Sequence, residues 1–218
     1  MTRILRYKAI LFDMDNTLLR SAIDFPGIKR DLFGLLAEEG ILPRGFPAAE
    51  HTIATLIETA RLTQKLTDEL EAAVWDIVVK GERQGMHGAE LEPFVADMLE
   101  RLRGRAHLTV LTNNALEAAL EALHRTGIAS CFEHIAGREQ MTALKPSPSG
   151  IVYLRSHYPH LEAGDWLAVG DSWIDGKAAE QAGIPFLAYN ARMEELERRA
   201  VPTIGRIRSM RELDDYLY

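Results

Sequence analysis

The sequence predicts a doubly wound parallel α/β sheet with an all-helical unit inserted after its first strand. Two observations indicate this fold class. From Glu90 onward, short apolar runs of the strand type alternate with amphipathic helical stretches, which is the pattern of a parallel sheet covered by helices. Between Arg20 and Gly88, apolar residues recur at helical spacing and show no strand-like alternation.

The first predicted strand, Ala9–Phe12, ends directly at two carboxylates, Asp13 and Asp15. Its uninterrupted apolar character is typical of a strand buried on both faces. Because a buried carboxylate without a partner is costly, we expect the strand to open into a ligand-binding crevice at the carboxyl edge of the sheet. Two carboxylates there could share a divalent cation, whereas the plainer alternative is a solvated acidic turn.

The inserted unit has three apolar helical faces, which predict helices over residues 28–36, 53–60 and 70–78. Thr67 is a candidate N-cap of the third helix. Gly81, Gly85 and Gly88 follow, and they predict a flexible linker or hinge. We therefore place the inserted domain at residues 20–88 and the core domain at residues 1–19 and 89–218.

The remainder of the core domain is predicted to alternate strands with helices. Apolar runs predict strands over residues 107–112, 132–136, 166–169, 185–189 and 203–204. Helical periodicity predicts helices over residues 94–102, 115–125, 149–157 and 176–181. Residues 192–199 are rich in charge, which is typical of the solvated face of a helix.

Composition narrows the function classes. The 218 residues are 47% hydrophobic and carry a formal net charge of −7, which argues against a general nucleic-acid binder. Cys131 is the single cysteine, so no internal disulfide can form, and a reducing compartment is indicated. The apolar run that ends at Asp13 is too short for a signal peptide or a membrane span. We expect a cytoplasmic protein that binds neither nucleic acid nor membrane.

Polar residues also follow the second predicted strand of the core, where Thr112 and Asn113 precede a helix. A hydroxyl and adjacent backbone N–H groups at such a place suit a phosphate oxygen. Taken alone, the same residues are more simply explained as an ordinary N-cap. These two residues alone therefore leave both interpretations open.

Two later segments add charge. Lys145 lies in a loop stiffened by Pro146 and Pro148, which could aim its ammonium group into a pocket, although a lone lysine is more often a surface residue. Asp171 and Asp175 follow the predicted strand 166–169 across a strand-to-helix turn. Asp175 alone would be a helix N-terminal acid favoured by the dipole.

Taken in order, these segments resemble the four motifs of the haloacid dehalogenase superfamily. The motifs are Asp13-Met14-Asp15-Asn16-Thr17, Thr112-Asn113, Lys145-Pro146 and Gly170-Asp171-Ser172-Trp173-Ile174-Asp175. The helical insert is similar to the α-helical cap of the phosphoglycolate-phosphatase-like branch. The resemblance implies a Rossmann-like core with an inserted cap.

The resemblance also implies catalytic roles. Asp13 would be the nucleophile that forms an aspartyl-phosphate. Asp15 would be the general acid for the leaving alkoxide and then the base that activates water. Lys145 would neutralise charge on Asp13 and on the transferring group, and it would also bind the phosphate.

Binding and supporting roles follow from the same resemblance. Asp13, the backbone carbonyl of Asp15, and Asp171 would hold Mg2+. Thr112 and the Asn113 amide would hold phosphoryl oxygens. Asp175 would orient Lys145 or a metal-bound water, and Thr17 would stabilise the turn after the nucleophile.

Asp15 favours phosphate esters, because haloacid dehalogenases of this superfamily lack the second aspartate. The leading expectation is a magnesium-dependent phosphatase, similar to phosphoglycolate phosphatase, that hydrolyses a small phosphorylated metabolite. A sugar-phosphate mutase or other phosphotransferase on the same core is an alternative. A non-catalytic module that binds a phosphorylated ligand is another. Either a monomer or a homodimer is compatible with the sequence.

Overall fold

The computed structural model describes residues 4–218, so the first three residues of the predicted core domain lie outside the described part. The chain divides into two compact units. One contains the chain up to Ser21 together with Ala89–Tyr218, and the other is Ala22–Gly88. Within the described residues, no helix is both long enough and apolar enough to cross a bilayer.

The larger unit is built on a parallel six-stranded sheet, so the predicted α/β class is confirmed. In chain order its strands are β1 (Ala9–Phe12), β4 (His107–Leu111), β5 (His134–Ala136), β6 (Trp166–Gly170), β7 (Phe186–Tyr189) and β8 (Gly205–Ile207). A short antiparallel pair, β2 (Leu19–Arg20) with β3 (Glu90–Leu91), stands apart from this sheet. The spatial order is β5-β4-β1-β6-β7-β8.

The winding of the chain reverses around β1. Strands β4 and β5 are added on one side of β1, and β6, β7 and β8 are added on the other. Phe12, the last residue of β1, lies opposite Val110 of β4 and Val169 of β6. Such a switch point leaves a crevice at the carboxyl edge of an open α/β sheet, which is where this fold class binds ligands.

Helices fill the connections between the strands of this unit. They are α4 (Val95–Leu102), α5 (Leu116–Arg125), α6 (Ser149–Ser156), α7 (Trp173–Gln181), α8 (Met193–Arg198) and α9 (Asp214–Leu217). Ala9 and Leu11 of β1 pack in one apolar cluster with Ile151 and Leu154 of α6. Ile10 and Phe12, which alternate with them along the strand, are also fully buried. Burial of both faces explains why β1 is uniformly apolar.

The smaller unit contains α1 (Phe25–Glu38), α2 (Ile53–Leu62) and α3 (Asp68–Met86). Their N-termini are capped by side chains, as Asp24 Oδ1 accepts from Gly27 N–H at 3.0 Å. Thr67 Oγ1 accepts from Leu70 N–H at 3.3 Å, so the predicted N-cap of the third helix is confirmed. Apolar faces of all three helices are buried, as their 3.6-residue spacing predicts.

The predicted glycine linker is wrong at Gly81 and Gly85, because both lie inside α3. A Cβ atom at Gly81 would lie 2.4 Å from Ile28 Cδ1, and one at Gly85 would lie 2.3 Å from Ile23 Cα. These glycines therefore allow close packing of α3 against α1 and against the segment that leads into it. Gly88 follows the end of α3, and a Cβ atom added there would meet nothing within 4 Å.

Several elements of the larger unit also differ from the prediction. The β2–β3 pair was not predicted, since strands of two residues are too short to show a period. The last strand is Gly205–Ile207 rather than residues 203–204, although Ile204 N–H already donates to Phe186 O at 2.9 Å. Helix α7 begins at Trp173 rather than at Gly176, which brings Asp175 into its first turn.

Candidate active site

The carboxyl edge of the sheet gathers acidic side chains from two neighbouring strands. Asp13 follows β1, and its N–H continues the ladder by donating to Val169 O at 2.9 Å. Asp171 follows β6, and Asp175 lies one turn further on in α7. Each of the three offers a carboxylate oxygen, and these oxygens lie within 4.8 Å of one another. The predicted convergence of Asp13 and Asp171 is therefore present in the fold.

Lys145 is the cation at the centre of this acidic cluster. Its Nζ donates to Asp13 Oδ1 at 2.6 Å, to Asp175 Oδ1 at 2.7 Å and to Leu111 O at 3.0 Å. Burial alone lowers the pKa of the ammonium group, but the charges of Asp13 and Asp175 outweigh it and hold the pKa above its usual range. The lysine therefore stays charged, and it is aimed at the first aspartate.

The Asn113 side chain fixes the backbone of Lys145 in this position. Asn113 Oδ1 accepts from Lys145 N–H at 2.9 Å, and Asn113 Nδ2 donates to Lys145 O at 3.1 Å. The amide thus clamps both polar groups of one residue that lies 32 positions away. Asn113 was expected to hold phosphate through its amide. Its side chain holds the loop that carries Lys145, and the phosphate contact through its backbone N–H stays a prediction.

Asp15 points to a different set of partners. Its Oδ1 accepts from Ser21 Oγ at 2.8 Å and its Oδ2 accepts from Asn114 Nδ2 at 2.6 Å. Burial, together with the charge of Asp13, raises the pKa of Asp15 to about 7, against the opposing effect of the two hydrogen bonds. A carboxyl group with this pKa can give up and take back a proton near neutral pH.

The pKa values of the other two acids of the cluster, Asp171 and Asp175, are also raised. Burial, with the charge of Asp13, raises the pKa of Asp175 to about 6, although Lys145 opposes the rise. Burial also raises the pKa of Asp171 well above its usual range, and the charges of Asp13 and Asp175 add to this. Asp175 Oδ2 accepts from Ser172 N–H at 3.1 Å, which ties it to the start of α7.

Two hydroxyl groups complete the predicted set. Thr17 is fully buried, and its Oγ1 donates to Asp13 Oδ2 at 3.0 Å, so both oxygens of Asp13 have a partner. Thr112 is 1% exposed, and its Oγ1 accepts from Asn114 N–H at 3.2 Å. Thr17 thus supports the first aspartate directly, while Thr112 bonds the turn that follows β4.

Comparison with known proteins identifies the family. Residues 7–183 match the model of the haloacid dehalogenase-like hydrolases. The chain belongs to this family.

Individual relatives agree with the assignment. The chain is 28% identical over 205 residues to a phosphoglycolate phosphatase of Rhodobacter capsulatus, covering 89% of each protein. It is 26% identical over 189 residues to an N-acetylmuramic acid 6-phosphate phosphatase of Pseudomonas putida, covering 82% of this chain and 81% of that one. A crystal structure of a family hydrolase from Geobacter sulfurreducens superposes with a TM-score of 0.61 at 22% identity, covering 97% and 96% of the two chains, and shares its fold.

These findings confirm the predicted family and its phosphoglycolate-phosphatase-like branch. They also confirm the predicted enzyme class, a haloacid dehalogenase-type phosphatase. The identity of the phosphate ester is a separate question, because these two relatives carry the names of different substrates.

The acidic cluster fits a hard divalent cation. All of its side-chain donors are carboxylate oxygens, which are the ligands Mg2+ prefers. Burial and mutual repulsion raise the pKa of Asp171 and Asp175, and a cation would relieve that repulsion. The grouped carboxylates include Asp175, whereas the Asp15 carboxylate is engaged by Ser21 and Asn114. Ligation by the backbone carbonyl of Asp15 stays a prediction.

Sequence reasoning missed Ser21 and Asn114 as partners of Asp15. Asn114 lies directly after the predicted Thr112-Asn113 pair, so its position beside the site was a usable signal. Ser21 belongs to no motif, and it reaches Asp15 because the turn at residues 16–18, in which Asn16 N–H donates to Leu19 O, brings the chain back before β2.

Proposed function

We propose that this phosphatase is magnesium-dependent and hydrolyses a small phosphate monoester through an aspartyl-phosphate on Asp13. The observation that carries the proposal is the separation of two carboxylates at one sheet edge. Asp13 is paired with the Lys145 ammonium, as a nucleophile under charge neutralisation would be. Asp15 is bonded to neutral groups and has a pKa of about 7, as a proton carrier would have.

In the first half of the reaction, a carboxylate oxygen of Asp13 attacks phosphorus, and the bond from phosphorus to the ester oxygen breaks. Asp15 gives its proton to the departing oxygen, which leaves as an alcohol. Lys145 offsets the negative charge that gathers between nucleophile and phosphoryl group. Thr112 and the backbone N–H of Asn113 are proposed to bind phosphoryl oxygens.

In the second half, water attacks the phosphorus of the aspartyl-phosphate. Asp15, now a carboxylate, accepts a proton from that water, and the bond between phosphorus and Asp13 breaks to release phosphate. Asp13, Asp171 and Asp175 are the carboxylates that would hold Mg2+, which when bound neutralises charge on nucleophile and substrate. Asp175 also keeps Lys145 directed at Asp13.

The helical unit Ala22–Gly88 is proposed to be the cap, and the cytoplasm the site of action. We propose a substrate of the kind named for the relatives, a small acid or sugar that carries one phosphate. Phosphoglycolate phosphatase is the name of the relative matched over more of this chain, so 2-phosphoglycolate is the first substrate to assay.

The test is phosphate release by the purified chain with Mg2+ from 2-phosphoglycolate, N-acetylmuramic acid 6-phosphate and p-nitrophenyl phosphate. We expect release to require the metal and to be lost in Asp13→Asn. Asp15→Asn, quenched in acid, should carry a phosphoryl group on the peptide that contains Asp13. Isomerised substrate without phosphate release would indicate a mutase, and no turnover of any ester would contradict the proposal.

A further inference from the structure

Asn114 donates a side-chain hydrogen bond to Asp15, the proposed acid–base residue, and hydrogen bonds to its backbone hold it in place. Its N–H donates to Thr112 Oγ1 at 3.2 Å, and its carbonyl accepts from Arg138 N–H at 2.9 Å. Only 4% of the residue is exposed. The backbone is therefore fixed on both sides, and the side-chain amide is directed at Asp15, 99 positions away in the chain.

The two oxygens of Asp15 have partners of different chemistry. Asn114 Nδ2 is an amide nitrogen and can only donate, so Oδ2 must act as an acceptor toward it at 2.6 Å. Ser21 Oγ, 2.8 Å from Oδ1, is a hydroxyl that can donate or accept. A proton on Oδ2 would point at a second donor, while a proton on Oδ1 is compatible with Ser21.

We propose that Asn114 is a positioning residue for proton transfer by Asp15. Its amide fixes the rotation of the carboxyl group and reserves Oδ2 as an acceptor, so the transferred proton is carried on Oδ1. This inference rests on the proposed function, in which that proton moves to the ester oxygen as the bond to phosphorus breaks. Asn114 itself exchanges no proton and touches no reacting atom.

The consequence is a loss that depends on the leaving group. Phenyl phosphate and p-nitrophenyl phosphate have nearly the same shape, but nitrophenolate departs readily without a proton and phenolate does not. Removing the Asn114 amide misplaces the proton, so it should slow the hydrolysis of phenyl phosphate far more than that of p-nitrophenyl phosphate. The value of kcat/KM reports the steps up to phosphoryl transfer and excludes later hydrolysis of the intermediate.

The experiment compares kcat/KM for both esters in wild type, Asn114→Leu, which keeps the side-chain shape, and Asn114→Ala. We expect about a 10- to 100-fold loss on phenyl phosphate and less than about 3-fold on p-nitrophenyl phosphate. Two variants are used so that one supplies the measurement if the other melts early. Thr109→Val is the matched control, because Thr109 is a buried residue of β4 whose hydroxyl donates to Ile10 O at 3.4 Å. The control should leave the ratio of the two esters unchanged.

Equal losses on both esters, or no loss on either, would overturn the inference while leaving the proposed function intact. A wild-type protein inactive on both esters would instead overturn the proposed function and this inference with it. A ratio that changes equally in Thr109→Val would show a general structural effect and would also overturn the inference.

Discussion

Lys145 is the residue that makes an acidic cluster compatible with a folded core. It is 3% exposed, and its Nζ contacts carboxylates from two different elements. Buried charges are tolerated when paired and bonded, but removal of one partner leaves the others unpaired. The stability of the site thus depends on a residue that the sequence presents as an unremarkable lysine in a proline-rich loop.

Lys145→Met should therefore be strongly destabilising. It leaves Asp13 and Asp175 facing each other without a cation, so we expect the free energy of unfolding to fall by about 3–5 kcal/mol. Urea denaturation at pH 8 in EDTA measures this. Lys177→Met is the control, since Lys177 pairs with Glu180 at the surface of α7 and should change stability by less than about 1 kcal/mol. Equal effects of the two substitutions would show that the buried pairings contribute little.

The raised pKa of Asp15 predicts a pH-dependent stability in the metal-free protein. Between its ordinary value of 3.8 and about 7, the folded state holds a proton that the unfolded state has released. Raising the pH through this window therefore favours unfolding, by roughly 4 kcal/mol at full extent. Wild type in EDTA should lose stability from pH 4 to pH 7, and Asp15→Asn should lose less.

Asp165 provides the control of opposite sign. The hydrogen bond from Lys8 lowers the pKa of Asp165, so its contribution is present above the ordinary pKa and is lost as the pH falls through the lowered value. Asp165→Asn should therefore leave the slope between pH 4 and pH 7 unchanged. If the free energy of unfolding changed equally in Asp15→Asn and in wild type over that range, the pKa of Asp15 would not be raised by folding, and the prediction would be wrong.

The sequence could predict the charged site residues that stand beside apolar strands. It could not predict the residues that hold these groups in position by hydrogen bonds. Asp13, Asp15 and Asp171 each come just after an apolar strand, and such an abrupt change from apolar to acidic residues is visible without a structure. Asn113 and Asn114 look like ordinary turn residues after β4. Their roles depend on partners 32 and 99 positions away, and no local pattern records such distances.

At the scale of elements, two glycines of the helical unit offer a direct test of close packing. Gly85 lies inside α3, and Gly85→Ala would place a methyl group 2.3 Å from Ile23 Cα. The resulting shift should outweigh the gain in helix propensity and destabilise the protein by about 1–3 kcal/mol. Gly34→Ala in α1 meets nothing within 4 Å, so it should stabilise by about 0.5–1 kcal/mol. Denaturation of both variants measures the contrast, and a stabilising Gly85→Ala would contradict it.

Helix and strand assignments succeeded where a period was long enough to read. Strands β1, β4 and β6 were visible as apolar runs, and α1 and α3 as stripes of helical spacing. The same rules were wrong for Gly81 and Gly85, because the sequence alone does not distinguish a glycine that permits close helix packing from a glycine in a flexible linker. The two-residue strands β2 and β3 are too short to show a period, and each pairs with a segment that is distant in the chain.

At the scale of the whole molecule, sheet topology assembles the site from sequence-distant pieces. The order β4-β1-β6 puts the segments after three strands beside one another at one edge. The segment after β4 contributes a hydroxyl group and side-chain amides, the segment after β1 contributes the carboxylates of Asp13 and Asp15, and the segment after β6 contributes those of Asp171 and Asp175. The family could thus be recognised from the order of the motifs alone.

The acidic cluster makes a last prediction about the folded protein as a whole. An ion that binds only the folded state stabilises it by RT ln(1 + [L]/Kd), which is about 2.7 kcal/mol at 100 times Kd. We expect Mg2+ to raise the melting temperature of wild type, and to do so more above pH 7 than at pH 5, because the pKa of Asp175 is about 6, that of Asp171 is also raised, and a protonated carboxyl group is a poor ligand. Asp171→Asn should abolish the shift. Asp165 directly precedes β6 and pairs with Lys8, so Asp165→Asn should retain the shift. A shift that survives Asp171→Asn would mean that the ion binds elsewhere, and the role assigned to this carboxylate would be wrong.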